Sequence, residues 1–429
     1  MNRKFQIFVI SVSLTLVGML LLGASTKQQS TPEETYRHIG VFTEVLSKIK
    51  SDYVEEPDMK NVTLGAVNGL LESLDPYASY LAPDQYKQYL TAKSEHKAGV
   101  GLVLAKRFGY IAVVNAIAGS PADKAGLTTG DMLETINNVN TRDMPLAYAE
   151  IMLTGEPGST IELSVLRFTK PEPQKMTLTR AAITYPEVTS KLLADGIGYI
   201  QVRSLEGTRT ADTAAAIQAL EKQGAKKLIL DLRNSATGDA VNGIQLANLF
   251  QDKALLGYTE GQTQKRENLE ADAARVVTRL PLTVITNRGT AAGAEVAAAA
   301  LLDTKRAEVV GERTYGDAAI RKAVTMEDGA AVILSVAKYF SPSGKAIQDT
   351  GVTPSVAVTD QTAMAAAEDE DETTPAAPAN EPKKPVEDEL LKKAIEVATK
   401  GVPAAATTTA PKPAPGTGPG LGPLNIPQP

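Results

Sequence analysis

Apolar positions divide this chain into stretches of different period. The first is a mostly apolar run, 5–22, preceded by Arg3 and Lys4 and followed by the small residues Gly23, Ala24 and Ser25. A positive start, an apolar stretch and small residues describe an export signal. The run is also nearly long enough to span a bilayer, and Arg3 and Lys4 would then hold the short end on the cytoplasmic side. Residues 1–25 are therefore expected to be a signal peptide or a membrane anchor. After a polar stretch, 26–32, Val41, Phe42, Val45, Leu46 and Ile49 recur at the spacing of an amphipathic helix. A second such pattern passes through Leu64, Val67, Leu70 and Leu71 and stops at Leu74-Asp75-Pro76, where the proline restricts the residue before it. A helical region is expected over 33–95.

The period then shortens. Strand-like runs at 100–104, 110–114 and 161–166 are punctuated by turn signals at Gly119-Ser120-Pro121 and Gly130-Asp131. They predict a small strand-rich domain over 96–182, with a helix at 145–153. From Gly196 the rhythm becomes β-α-β: strands at 199–202, 227–232 and 282–286, and helices at 210–223, 241–250 and 292–303. Mostly apolar strands alternating with helices predict a sheet covered on at least one face, within a domain over 183–360. The remainder, 361–429, is acidic at 368–372 and rich in Pro and Ala from 403 on, a composition that buries too little apolar surface to order itself. One short helix, 386–399, interrupts it. Acidic residues at its start, with Lys392 and Lys393 later, suit the helix dipole. The fold class is thus α+β and α/β in several domains.

Charge and composition remove several function classes. The chain has 429 residues, 43% hydrophobic, 22% charged, and a net charge of −6, which argues against a general attraction to nucleic acid. It has no cysteine, so disulfides, cysteine nucleophiles and thiolate zinc sites are excluded. With only His38 and His96, a Ser-His-Asp hydrolase would have to use one of these two. The acidic residues show no metal-ligand spacing, and the run at 368–372 reads as a solvated tail rather than a calcium site. Neither a metal nor a cofactor is implied.

The segment from Gly119-Ser120-Pro121 to Ala125-Gly126-Leu127, followed by Gly130-Asp131-Met132-Leu133, resembles the PDZ domain of secreted bacterial proteases. Pro121 starts a short helix, Gly126 permits a tight turn and Gly130-Asp131 leads into the next strand. Upstream, Gly99, Val100, Gly101 and Leu102 are placed like the PDZ loop whose backbone N–H groups cup a terminal carboxylate. The resemblance implies a peptide-binding groove with the helix 145–153 as its other wall, and protein C-termini or unfolded chains as partners.

Further motifs extend the likeness over about 36–358. Leu74-Asp75-Pro76-Tyr77, Asp231-Leu232-Arg233-Asn234, Asn287-x-Gly289, Thr314-Tyr315-Gly316, Tyr339-Phe340-Ser341-Pro342 and Gly351-Val352-Thr353-Pro354 are similar to those of carboxy-terminal processing (tail-specific) proteases, whose core is crotonase-like. That resemblance implies a serine nucleophile and a buried, neutral lysine as its general base. Aligned without a gap through Gly289 and Glu295, the nucleophile position falls on Ala292. The lysine position falls on Asp317 and the supporting glutamine on Arg321. The family's Asn-Pro-Gly-Gly oxyanion loop falls on Ser235-Ala236-Thr237-Gly238, so Thr237 replaces a glycine and Gly238 keeps one. No intact catalytic set remains.

Thr290, two positions before Ala292, and Ser235, on the facing loop, are the candidate substitute hydroxyls, and capping the following helix is the alternative role for Thr290. Lys305 and Lys322 are candidate bases by type alone. The sequence therefore predicts an exported scaffold or regulator that binds C-termini without cleaving them, periplasmic or otherwise extracytoplasmic. It would act alone, as a homo-oligomer or beside an active protease. The alternatives are an active peptidase with a relocated nucleophile, Thr290 or Ser235, and an envelope protein whose cleft is vestigial.

Overall fold

The structure, a computed structural model, describes residues 32–94, 98–142, 144–167, 170, 172–359 and 388–400. The apolar leader, His96 and most of the acidic and Pro-rich tail lie outside the described residues. The chain divides into two units, 1–66 and 67–429.

The first unit contains helix α1 (Pro32–Asp52) and the start of α2 (Met59–Glu72). Both follow the i, i+3, i+4 patterns of the sequence. Of the apolar side chains of α1, Val41, Phe42 and Val45 are nevertheless exposed, while Leu46 and Ile49 are half-buried. In the second unit the break after α2 has a local cause: Asp75 Oδ1 accepts from the N–H groups of Tyr77 (2.8 Å) and Ala78 (2.7 Å), closing a turn that the helix cannot continue through. A short strand β1 (Ser79–Leu81) and helix α3 (Pro83–Ser94) follow.

The strand-rich domain forms as the sequence indicates. Its strands β2 (Leu102–Arg107), β3 (Tyr110–Ala116), β4 (Met132–Ile136), β5 (Val139–Asn140), β6 (Thr160–Leu166) and β7 (Gln174–Thr179) make one antiparallel sheet, ordered β2-β3-β4-β6-β7 with β5 paired to β4. The short helix α4 (Pro121–Lys124) begins as Pro121 and Ser120 suggest, with Ser120 Oγ accepting from Asp123 N–H at 3.2 Å. Helix α5 (Leu146–Leu153) packs on β2 and β4. Ile111, Leu133, Ile136, Ile161, Leu163 and Val165 fill the core between them.

The larger domain is built on a six-stranded sheet of β8 (Thr189–Leu192), β9 (Ile197–Gln201), β10 (Lys227–Asp231), β13 (Leu282–Thr286), β14 (Ala307–Gly311) and β17 (Val356–Ala357). Its order is β17-β14-β13-β10-β9-β8, parallel except for the antiparallel edge strand β8. Helices α6 (Arg209–Lys222), α7 (Ala240–Asn248) and α8 (Gly293–Asp303) cover one face, burying Ile200, Leu228, Leu230, Val284 and Val309. The other face, bearing Ile197, Tyr199, Ile229, Ile285 and Val310, receives the C-terminal helix α9 (Glu389–Lys400) through Leu390, Ala394 and Val397. The sequence places this helix inside a low-complexity tail; in the structure it completes the core, because its i, i+4, i+7 apolar stripe matches an otherwise bare sheet face. A second sheet, β1-β16-β11-β12 with β15 paired to β16, uses β11 (Leu255–Glu260), β12 (Glu267–Glu270), β15 (Ala319–Thr325) and β16 (Ala331–Phe340). The hydrophobic pattern does not single out these strands, since β12 and β15 are largely exposed.

Candidate functional site

The site lies where β13 turns into α8. Asn287 holds this turn to the facing loop after β10. Its Oδ1 accepts from Asn234 N–H (3.0 Å) and Gly289 N–H (3.1 Å), and its Nδ2 donates to Asn234 Oδ1 (2.9 Å). Position 289 has no room for a side chain, since a Cβ there would stand 2.5 Å from Asn234 Oδ1. The next residues tie the two loops further: Ala291 N–H donates to Ser235 O (2.9 Å) and Gly293 N–H to Gly238 O (3.2 Å).

Ala292 sits at the apex with φ 53° and ψ −127°, a conformation strained for any residue with a Cβ. A sharp, strained strand-to-helix turn is how hydrolases lift a nucleophile clear of the backbone. Here the lifted group is a methyl.

In the first turn of α8, the fully buried Glu295 anchors the segment 314–317. It accepts from Thr314 Oγ1, from Gly316 N–H (2.6 Å) and from Asp317 N–H (2.8 Å). Burial pushes its carboxyl up to about 8, while these three donors pull the other way. The anchored segment presents Asp317, whose carboxylate forms an ion pair with Arg321. The Arg321 guanidinium lies 3.7 Å from the centre of the Tyr77 ring. Burial also raises the Tyr315 hydroxyl to about 12. Through Glu295, the segment bearing Asp317 is tied to the helix that Ala292 caps; these positions carry a methyl group and an ion pair.

The loop 235–238, where the family resemblance places the oxyanion donors, is also engaged. Gly238 N–H donates to Glu206 Oε1 (3.1 Å), Thr237 Oγ1 donates to Ser204 Oγ (2.8 Å), and Leu205 N–H donates to Thr237 O (3.0 Å). Glu206 carries no motif, and only the fold brings it to this loop.

The substitute residues are placed elsewhere. Thr290 does not cap α8: the N-cap is Ala292, and Thr290 Oγ1 instead donates to Leu232 O (2.8 Å) and accepts from Asn287 N–H (3.0 Å). The capping expectation fails because the helix starts three residues later, at Gly293. Ser235 is fully buried, its Oγ without a partner among the described residues. Lys305 and Lys322 are exposed, and His38 is exposed in the first unit. No cluster of metal-ligating side chains occurs among the described residues.

The strand-rich domain meets this cleft. Arg107 of β2 stacks over Tyr315 at 5.6 Å, Asn115 Nδ2 of β3 donates to Asn234 O (2.9 Å), and Ala236, Ala291 and Tyr315 pack against the domain's core. In the expected carboxylate loop Gly99 is already committed, pairing both ways with Ala181 (3.0 and 2.9 Å). Val100, Gly101 and Leu102 run on into β2, with Gly101 at φ 80°.

A peptidase-type core with its cleft at a strand-to-helix turn, joined to a PDZ domain, is the class that this fold and site define. Residues 196–358 match peptidase family S41 and residues 113–167 match the PDZ domain family. The carboxy-terminal processing protease CtpA of Bacillus subtilis (strain 168) is 31% identical over 366 residues, covering 83% of this chain and 78% of that protein. The carboxyl-terminal-processing protease of Synechocystis sp. is 31% identical over 344 residues, covering 78% and 79%. Among solved structures, the photosystem II D1 C-terminal processing protease superposes with a TM-score of 0.63 at 27% identity, over 75% of this chain and 92% of its own. The chain belongs to the carboxy-terminal processing protease family, within peptidase family S41.

Proposed function

We propose that this chain is an exported, non-cleaving member of its family, which holds protein C-termini through its PDZ domain. The observations that carry this reading are a methyl at the strained position 292 and an Asp317–Arg321 ion pair at the positions where the family resemblance places the lysine and its supporting glutamine. Serine-lysine catalysis requires a hydroxyl at one position and a neutral amine at the other; neither is present. The oxyanion loop agrees, since its Gly238 N–H is spent on Glu206, and an oxyanion donor is typically worth about 10²–10³ in rate.

The intact parts are those that bind. Gly101, Leu102 and β2 border α5, the layout in which a peptide adds to a strand edge and its terminal carboxylate meets backbone N–H groups. The relatives' names describe C-terminal processing, and recognition of a C-terminus is the half of that work retained here. In this reading residues 5–22 direct the chain out of the cytoplasm, as a cleaved signal or as an anchor in the inner membrane. Bound clients are then presented to an active protease or to a second copy of the chain.

Fluorescence anisotropy with a labelled peptide ending in apolar residues tests the binding half. A free C-terminal carboxylate is expected to bind at least tenfold more tightly than the same peptide amidated. Equal affinity for the two would overturn C-terminal recognition.

A further inference from the structure

Helix α9 lies over β10, β13 and β14. Beside its N-terminus, over the β8–β9 edge of the sheet, a cavity of about 500 Å³ remains. That size falls within the usual range for a small-ligand or short-peptide site, and neither Ala292, Asp317 nor the loop 99–102 lines it. Its acids are neutralised from within. Arg233 binds Asp231 (Nη2–Oδ2 2.6 Å) and Asp388 (Nη1–Oδ1 2.9 Å, Nη2–Oδ2 2.9 Å), so one guanidinium serves both carboxylates. Its other cations are not neutralised. Lys191, on β8, lies 5.3 Å from the Tyr199 ring centre, and Arg203 follows β9; both are exposed, and neither has an acidic partner among the described residues. The free charge on this wall is therefore positive.

The framework around these cations is that of an acceptor for an extended chain. Among the described residues β8 pairs only with β9, which leaves its outer edge open, and all four of its residues are exposed. An open edge accepts an added strand. A lysine on such an edge discourages pairing with another copy of the same edge, so an incoming strand must bring negative charge. Lys191 stands opposite Tyr199 in the β8–β9 register, four residues before Arg203, a separation of about 13 Å along nearly extended chain. Two carboxylates four residues apart on one face of an extended peptide span that distance; a single small anion does not.

We infer that the cavity between β8 and the start of α9 is a docking site for a short, extended, acidic peptide segment, whose carboxylates meet Lys191 and Arg203 while its backbone adds to β8. Asn234 and Asn287 also line this cavity, and they are the pair that ties the two loops of the cleft together. An occupant here therefore touches the framework of the cleft from behind.

The test uses the full chain and fluorescein-labelled acetyl-Glu-Thr-Glu-Thr-Glu-amide, whose amidated end removes any demand for a terminal carboxylate at the PDZ domain. The expected result is saturable binding at low salt, at least tenfold weaker for the Gln-Thr-Gln-Thr-Gln counterpart. The double variant Lys191→Glu/Arg203→Glu, both exposed and outside the core, is expected to weaken binding at least tenfold with unchanged thermal unfolding. The exposed control Lys253→Glu is expected to leave binding intact. Three results would overturn the inference: no saturable binding at low salt, undiminished binding by the double variant, or displacement of the peptide by an equal concentration of inorganic phosphate.

Discussion

Position 292 keeps a backbone conformation whose usual purpose is to expose a reactive side chain, yet it carries none. Strain of this kind typically costs about 1–3 kcal/mol, and glycine relieves it at φ 53° and ψ −127°. Replacing Ala292 by glycine is therefore expected to stabilise the chain by about 1 kcal/mol in urea denaturation. Glu295 sets a second residue-scale expectation. Its carboxyl is shifted by burial from an ordinary 4.5 to about 8, so the folded state holds a proton that the unfolded state releases. The stability this contributes is complete below about pH 4.5 and is lost as pH rises through about 8. Denaturation midpoints measured from pH 5 to pH 8.5 should fall along that window, and a Glu295→Gln variant, which cannot titrate there, should lack that component of the fall. The departures at 237, 292, 317 and 321 were legible in the sequence because each is a change of residue type at a motif position. Glu206 was not, because nothing in local sequence marks a side chain whose partner, Gly238, lies beyond a whole helix and strand.

At the scale of elements, the parallel strands were readable because burial on both faces makes them continuously apolar, as in β10 and β13. The hairpin β15–β16 was not, since its outer strand is mostly exposed and its apolar alternation is weak. Helix α9 was read as a helix but not as part of the core; its partner face appears only once strands far apart in sequence are aligned. Leu390, 1% exposed, is its main anchor. Leu390→Ala is expected to cost about 2–5 kcal/mol, seen as a lower urea midpoint of the whole domain. A loss below about 1 kcal/mol would mean that α9 is an appendage after all. The carboxylate loop offers a sharper change: at Gly101 a Cβ would stand 2.2 Å from Ser120 Cβ with φ at +80°. Gly101→Ala should therefore abolish binding of free-carboxylate peptides in the anisotropy assay while the acidic, amidated peptide still binds at β8.

For the whole molecule, the architecture is that of a protease whose recognition module remains seated against its cleft through Arg107–Tyr315 and Asn115–Asn234. Fold and family alone do not decide activity; the chemistry at 292 and 317 does. The most direct measurement incubates the purified full chain with labelled casein and with a protein carrying an apolar C-terminal tail, following product by mass spectrometry. The account predicts no cleavage above the level of an Ala292→Gly control, alongside binding of the tailed protein. Turnover that disappears on a single change such as Ser235→Ala or Thr290→Val would contradict it, because it would reveal a nucleophile where the cleft has none.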